Sequence, residues 1–277
     1  MNAPDTIAAE SMPKTAALGS ISVVELRRYR LRPGSRETLI ELFDREFVET
    51  QEQAGMRVLG QFRDLDSPDS FVWLRGFGDL ASRENALETF YSGPIWAEHR
   101  DAANATMVNS DNVLLLRPLS PENAFQPMDT KRAPRDAKGS LPGLFVATVA
   151  YLAPRTDSAF ADFFTREVLP VLSRTGANVV GTFSVERSEN TFPRLPVREG
   201  ETVVVWFSLF RDSAAYDAHT DALAASREWT EHIRPEMEGR VWRPNEVSWL
   251  TPTARSLIHA GSLSALATKT LCQGGGK

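Results

Sequence analysis

The chain has 277 residues, of which 42% are hydrophobic and 24% are charged, a composition typical of a folded globular protein. Its net charge of −5 comes from 31 basic and 36 acidic residues in an interspersed pattern, which argues against nucleic acid and membrane surfaces as partners. The single cysteine, Cys272, excludes an internal disulfide, and the sequence shows neither an export signal nor a membrane-spanning apolar stretch. These features favour a cytoplasmic location.

The first part of the chain predicts the order β-α-β-β-α-β. Residues 1–20 are expected to form a disordered tail, and Pro33-Gly34 ends the first strand and opens a helix that Gly55 closes. Asp79 is a candidate N-cap for a second helical region, which Gly93-Pro94 divides into two helices. The predicted strands are 22–31, 56–63, 70–77 and 112–117.

The second part repeats the same order after a linker. Residues 119–142 are rich in proline and charge and predict the linker, and 253–277 are expected to form a C-terminal tail. The predicted strands are 144–152, 178–186, 202–210 and 245–250, and the predicted helices are 157–174, 213–224 and 226–237.

An internal duplication underlies this similarity. Gly55 aligns with Gly176 at an offset of 121 positions, and Trp73 aligns with Trp206 at an offset of 133. The change of offset, 133 less 121, places twelve extra residues in the second copy, between Phe183 and Trp206. The domain prediction is therefore a first repeat at 21–118 and a second at 143–252.

Each repeat predicts a ferredoxin-like unit, so the expected fold class is α+β, with two fused units forming one α+β barrel. The segments VVELRRYRLRPG at 23–34 and FVWLRGFGDLASRENALETFYSGPIWAEHRDAAN at 71–104 resemble NIPSNAP-like domains. That resemblance implies the dimeric α+β barrel fold, here closed within one chain. Members of this superfamily include cofactor-independent oxygenases, isomerases, dehydratases and haem enzymes, and the resemblance implies no particular catalytic residue.

A Trp-x-x-His pair occurs in both repeats, as Trp96 with His99 and Trp229 with His232. Residues three apart share one face of a helix, so each pair could form a pocket wall with a titratable group or could simply pack the helix on the sheet. Because both repeats keep the pair, structural packing is the favoured interpretation, and the differences between repeats are the better guide to chemistry.

The first repeat carries arginines where the second carries none. Two interpretations stay open: a salt-bridged barrel interior in which Glu25 accompanies the arginines, and a clamp for an anion or enolate. The alignments are Arg27 with Thr148, Tyr29 with Ala150, Arg63 with Ser184, Arg75 with Ser208 and Arg100 with Ile233.

The insertion at 187–200 contains one aromatic residue and three arginines, stiffened by two prolines. Long hairpin loops are often functional, and this one could cap a pocket or bind a second subunit.

The leading functional hypothesis is a small-molecule-binding barrel, acting as a cofactor-independent oxygenase or isomerase on an apolar or aromatic substrate held mainly in the first repeat. The expected partner is a small-molecule ligand, with no cofactor and no metal; the fused halves can close the barrel alone, and pairing into a homodimer stays open. The alternatives are a non-catalytic scaffold and, less favoured, haem binding through His99 or His232. Predicted catalytic residues are His99, Arg75 and Arg100, and predicted ligand-binding residues are Trp96, Tyr91, Arg27, Tyr29, Trp73 and Asn104.

Overall fold

The structure is a computed structural model that describes residues 20–126 and 131–262. Cys272 and the predicted tails at 1–19 and 263–277 lie outside the described residues. Within them, no helix is long and apolar enough to cross a membrane. The strands are β1 (Val23–Leu31), β2 (Arg57–Asp64), β3 (Ser70–Phe77), β4 (Met107–Pro118), β5 (Leu144–Leu152), β6 (Asn178–Val185), β7 (Val203–Phe210) and β8 (Val241–Pro252).

Three helix boundaries lie at the residues whose local sequence signals them, whereas the last helix extends to Arg240, three residues beyond its predicted end. Asp79 accepts a hydrogen bond from the Ser82 amide in a capping box, Pro94 occupies the first turn of its helix, and Gly55 has a φ of 102° after the first helix. The helices are α1 (Arg36–Leu42 and Val48–Gln53, joined by a π-helical turn at Phe43–Phe47), α2 (Leu80–Tyr91), α3 (Pro94–Thr106), α4 (Asp157–Phe163 and Leu169–Arg174, joined by a π-helical turn at Phe164–Val168), α5 (Ser213–Ala225) and α6 (Arg234–Arg240, preceded by a π-helical turn at Glu228–Ile233).

The eight strands form one closed barrel in the order β1-β3-β2-β8-β5-β7-β6-β4. Each repeat contributes four consecutive strands, and two short antiparallel ladders, β2 with β8 and β4 with β6, join the repeats. The predicted fold class, two fused ferredoxin-like repeats forming an α+β barrel, is confirmed.

Alternate residues of each strand point into the barrel or outward to the helices. Phe62, Phe145 and Phe207 stack inside the barrel, with ring centroids 4.6 and 5.3 Å apart. On β1 the inward positions include Val24 and Leu26. The intervening residues of β1, Glu25 and Arg27, therefore lie in the layer between the sheet and the helices. The interpretation of a salt-bridged barrel interior is wrong about the face of the sheet that they occupy.

The described part of the predicted linker, 119–126 and 131–142, and the start of the predicted C-terminal tail fill one end of the barrel. Phe125 contacts Phe183 and Phe207, and Ile258 is fully buried in the same cluster. Arg255 is 2% exposed and binds Glu49 of α1. Residues 253–262 are thus folded against the barrel rather than extended from it, because Arg255 and Ile258 each find a buried partner there.

Asp44, in the π-helical turn of α1, gives a prediction on pH dependence. Burial raises its pKa to about 6, although Arg255 and a hydrogen bond donated by Gln61 oppose the increase. The folded state then binds a proton more tightly than the unfolded state, so the free energy of unfolding falls as pH rises from about 4 to about 6. We expect Asp44→Asn to remove this decline and to be more stable than the parent by about 1 to 3 kcal/mol at pH 7, but not at pH 4.

Urea denaturation at several pH values checks the Asp44 prediction. Asp162→Asn, at an exposed position on α4, is the matched control and should leave the pH dependence unchanged. An Asp44→Asn variant that is destabilised equally at pH 4 and pH 7 would contradict it.

Candidate functional site

Three buried arginines converge on one carboxylate between the first half of the sheet and its helices. Glu25 Oε2 accepts from Arg27 Nη1 at 2.6 Å and from Arg75 Nε at 2.7 Å, and Glu25 Oε1 accepts from Arg83 Nε at 2.7 Å. The side chains of Glu25, Arg75 and Arg83 are 0% exposed. We call Glu25, Arg27, Arg75 and Arg83 the arginine cluster.

The arginine cluster carries a surplus of two positive charges, because the ion pairs of all three guanidinium groups run to the same carboxylate. Burial alone would raise the pKa of Glu25, but the three arginines outweigh burial and hold that pKa well below its usual range. Glu25 therefore stays ionised. A buried charge surplus is costly, and an anion is the group that would offset it.

Several hydrogen-bond donors in and beside the arginine cluster have no partner. Nη2 of Arg75, Nη2 of Arg83 and Nε1 of Trp73 are all buried without an acceptor. Buried donors in native proteins are nearly always paired, so unused donors that belong to charged groups point to a negatively charged acceptor.

Aromatic rings surround the guanidinium groups. The guanidinium carbons of Arg27 and Arg75 lie 5.5 and 5.1 Å from the centre of the Trp73 ring. Tyr29 packs edge-on against Trp73 at 5.9 Å, and its hydroxyl accepts from Arg27 Nε at 3.0 Å. The layer therefore offers flat apolar surfaces beside cationic donors, a combination suited to an aromatic anion.

The insertion of the second repeat covers the arginine cluster of the first. Asn190 Oδ1 accepts from Arg83 Nη1 at 3.0 Å, and Thr191 Oγ1 lies 3.3 Å from the same nitrogen. Phe192 is 4% exposed and stacks on Tyr91 with ring centroids 5.9 Å apart. Of the two uses predicted for this loop, the contacts favour a cap, because its one aromatic side chain is already buried.

The second repeat has no charged residue at the positions equivalent to the arginine cluster and Gln51. Both repeats keep the tryptophan, Trp73 and Trp206, on the strand beside these positions. The aligned pairs, first repeat then second, are Glu25 with Val146, Arg27 with Thr148, Gln51 with Leu172, Arg75 with Ser208 and Arg83 with Tyr216. The fold is built without the cluster in one half, so the cluster is not a requirement of the fold.

Five of the predicted residues lie together in or beside the cluster: Arg27, Tyr29, Trp73, Arg75 and Tyr91. Trp96 adjoins them through Tyr91, at 4.9 Å between ring centroids. The structure does not bring the other three to the arginines.

On α3, His99 faces α1, whereas Arg100 and Asn104 face away from the sheet. His99 Nε2 is 3.7 Å from Glu46, and its ring contacts Phe47, as does the ring of Trp96. Arg100 is 57% exposed beside Asp101, and Asn104 is exposed. Trp96 and His99 thus both pack against Phe47, which agrees with the favoured interpretation of the pair as structural packing rather than with the alternative of a pocket wall.

Sequence reasoning missed Gln51, Arg83 and Asn190. Gln51 Oε1 accepts from Arg75 Nη1 at 3.1 Å. Extending the comparison of repeats to the helices would have found Gln51 and Arg83, because their counterparts are Leu172 and Tyr216. Asn190 lies in the insertion, which has no counterpart to compare.

The structural comparisons show the barrel fold. A proposed monooxygenase from Fusobacterium nucleatum is 13% identical, with a TM-score of 0.54 over 84% of this chain and 93% of that one. A protein described as anthrone oxidase-like is 14% identical, with a TM-score of 0.51 over 86% of this chain and 96% of that one. At these identities the likeness concerns the fold alone.

Two further comparisons match a smaller part of the chain. An uncharacterized NIPSNAP-like domain protein from Burkholderia xenovorans is 28% identical over 39% of this chain and 91% of its own, with a TM-score of 0.34. No curated protein matches the sequence. The NIPSNAP family model matches residues 24–121. The region that this model matches carries the arginine cluster and is similar to NIPSNAP domains, and it forms part of an eight-stranded α+β barrel.

Proposed function

We propose that the first half of the barrel binds a small aromatic molecule with an acidic oxygen and stabilises its anion at the arginine cluster. The observation that carries the proposal is the surplus of two buried positive charges around Glu25, with unused donors on Arg75 and Arg83. Carboxylate, phenolate and enolate oxygens all match these donors.

The ligand would enter where the 187–200 loop covers the cluster. The loop is held there by side-chain contacts of Asn190, Thr191 and Phe192, and these can separate without breaking a strand of the barrel. Once bound, the ligand's oxygen would accept from Arg75 and Arg83, and its ring would lie against Trp73 and Tyr29.

The chemistry that this arrangement supports is the stabilisation of an enolate. Fixed donors in a site without water lower the pKa of a bound enol, and an electron-rich enolate can react directly with dioxygen. Glu25 is a poor base because its pKa is so low. The arginines therefore act by electrostatics, and a cofactor-independent oxygenase is the enzymatic form of the proposal.

Binding is tested with an ionised and a neutral ligand of one shape. We expect 2-naphthoate to quench tryptophan fluorescence saturably and 2-naphthamide to bind at least about tenfold more weakly, because only the carboxylate offsets the charge surplus. Arg75→Lys should weaken naphthoate binding by a similar factor, since lysine lacks the planar fork. Arg63→Lys, which alters an arginine paired with Glu37 outside the cluster, is the control. Equal affinity for the two ligands would refute the proposal.

Catalysis is tested separately with anthrone, an aromatic ketone with an accessible enolate. The balanced reaction is anthrone plus dioxygen giving anthraquinone plus water, and it is followed by oxygen uptake. Oxygen consumption that requires Arg75 supports an oxygenase. Naphthoate binding without turnover of anthrone assigns a binding function to the site.

A further inference from the structure

The open end of the barrel holds a second polar site. A cavity of about 520 Å³ lies where β1, β4 and β8 reach the end opposite Phe125, next to the β2–β3 turn. The polar residues of its lining include Arg28, Asp64, Asn112, Glu246 and Ser248.

The floor of this cavity is a hydrogen-bonded network across the barrel. Arg28 of β1 pairs with Glu246 of β8, although β3 and β2 separate these strands in the sheet. Tyr151 donates to the other oxygen of Glu246 and accepts from Arg198 Nη1 at 2.9 Å. We call Arg28, Tyr151, Arg198 and Glu246 the mouth network.

Arg28 has donors that the protein does not use. It is 9% exposed, and only its Nη1 is bonded, whereas Nε and Nη2 have no acceptor. These two nitrogens carry parallel N–H bonds on one edge of the guanidinium plane, the edge that binds a carboxylate through both of its oxygens. Arg28 is nine-tenths buried, and this edge has no acceptor within the protein. The edge is therefore suited to bind the carboxylate of a ligand.

Closing the barrel does not require the mouth network. At the equivalent positions of the other repeat, Val149 stands for Arg28 and Val113 stands for Glu246. Both valines are fully buried and complete the same layer with apolar packing. The charged pair is therefore specific to one side of the barrel.

We propose that the barrel mouth binds a small hydroxy- or amino-carboxylate, whose carboxylate takes the Nε–Nη2 edge of Arg28 and whose polar substituents face Glu246 and Asp64. This site is distinct from the arginine cluster, because successive residues of β1, Arg27 and Arg28, lie on opposite faces of the sheet. The lining holds two acidic residues, Asp64 and Glu246, beside Arg28 and Arg30, so a singly charged carboxylate places less negative charge next to the two carboxylates than a phosphate dianion does.

The test follows the Arg28 Nε–H signal of the parent, and the backbone amide signals of the cavity lining in every variant, in NMR spectra of the full chain with D-glycerate, L-serine and inorganic phosphate as probes. Saturable shifts with glycerate or serine, at dissociation constants of roughly millimolar for molecules of this size, are the expected result. Arg28→Lys keeps a positive charge beside Glu246 but removes the fork, and it should weaken binding at least about tenfold. Arg117→Lys, on the exposed part of β4, is the control that should bind as the parent does.

Three outcomes overturn the proposal. They are no saturable shift with either carboxylate, shifts with phosphate alone, and equal carboxylate binding by the parent and by Arg28→Lys. If Arg28→Lys fails to fold, Ser248→Val replaces it, because valine adds apolar bulk to the cavity lining without touching the ion pair, and it should weaken binding in the same way.

Discussion

Replacing Glu25 with glutamine is expected to lower the free energy of unfolding by about 3 to 5 kcal/mol. Glutamine has nearly the same shape, so the loss arises from charge: Arg27, Arg75 and Arg83 would remain buried with no counterion. Since the pKa of Glu25 is depressed, its contribution to stability is present at neutral pH and is lost as the pH falls through the acid range.

The matched control for Glu25→Gln is Glu37→Gln. Glu37 also pairs with an arginine of the first repeat, Arg63, but it is 56% exposed, and such pairs contribute about 0 to 1 kcal/mol. Chemical denaturation at pH 7 measures both variants. A Glu25→Gln variant as stable as the Glu37→Gln variant would show that other groups balance the cluster's charge.

The barrel could be predicted from sequence because its determinants are local and duplicated. Alternation in the strands, the Asp79 cap and the glycines that end the helices each act over a few residues, and the repeat supplies every pattern twice. The two tryptophan positions, Trp73 and Trp206, align the halves directly. Fusion into one barrel then follows, because each sheet has an open face to cover.

The candidate site was only partly predictable, because it depends on which side of each element faces the sheet. The differences between repeats pointed to Arg27 and Arg75. They could not show that α3 turns His99 toward Glu46, or that Asn190 of the second repeat reaches Arg83 of the first. The first contact joins residues 53 positions apart and the second joins residues 107 positions apart, and no local pattern encodes either.

The barrel end that Phe125 and Ile258 fill was missed for a related reason. Residues 119–142 and 253–262 lack helical or strand periodicity, so composition alone predicted a linker and a tail. They are held by irregular contacts, including the hydrogen bonds from Arg132 to Glu52 and to the Val58 carbonyl oxygen. Segments without periodicity can still be packed when a buried arginine anchors them.

Removing the whole cluster is expected to have the opposite effect from removing Glu25 alone. The variant is designed to keep volume while eliminating the charges and the polar partner of Arg75, and the second repeat likewise has only uncharged side chains at the equivalent positions. The five changes are Glu25→Met, Arg27→Met, Gln51→Leu, Arg75→Met and Arg83→Met.

We expect the chain with these five substitutions, the five-residue variant, to be at least as stable as the parent, and up to about 4 kcal/mol more stable. The reason is that the cost of burying four ionised groups disappears with them. Its naphthoate binding should be lost. Denaturation and fluorescence titration of the same sample measure both properties.

The pair of results separates a structural from a functional role for the arginine cluster. If the cluster exists to hold α1 and α2 on the sheet, the five-residue variant must be less stable than the parent, and its loss should approach that of Glu25→Gln. If the cluster is kept for a ligand, stability recovers while binding does not, and the two sets of changes are strongly non-additive. The second outcome would mean that the protein retains a buried charge surplus at a cost to its own stability, a cost that a bound anion would offset.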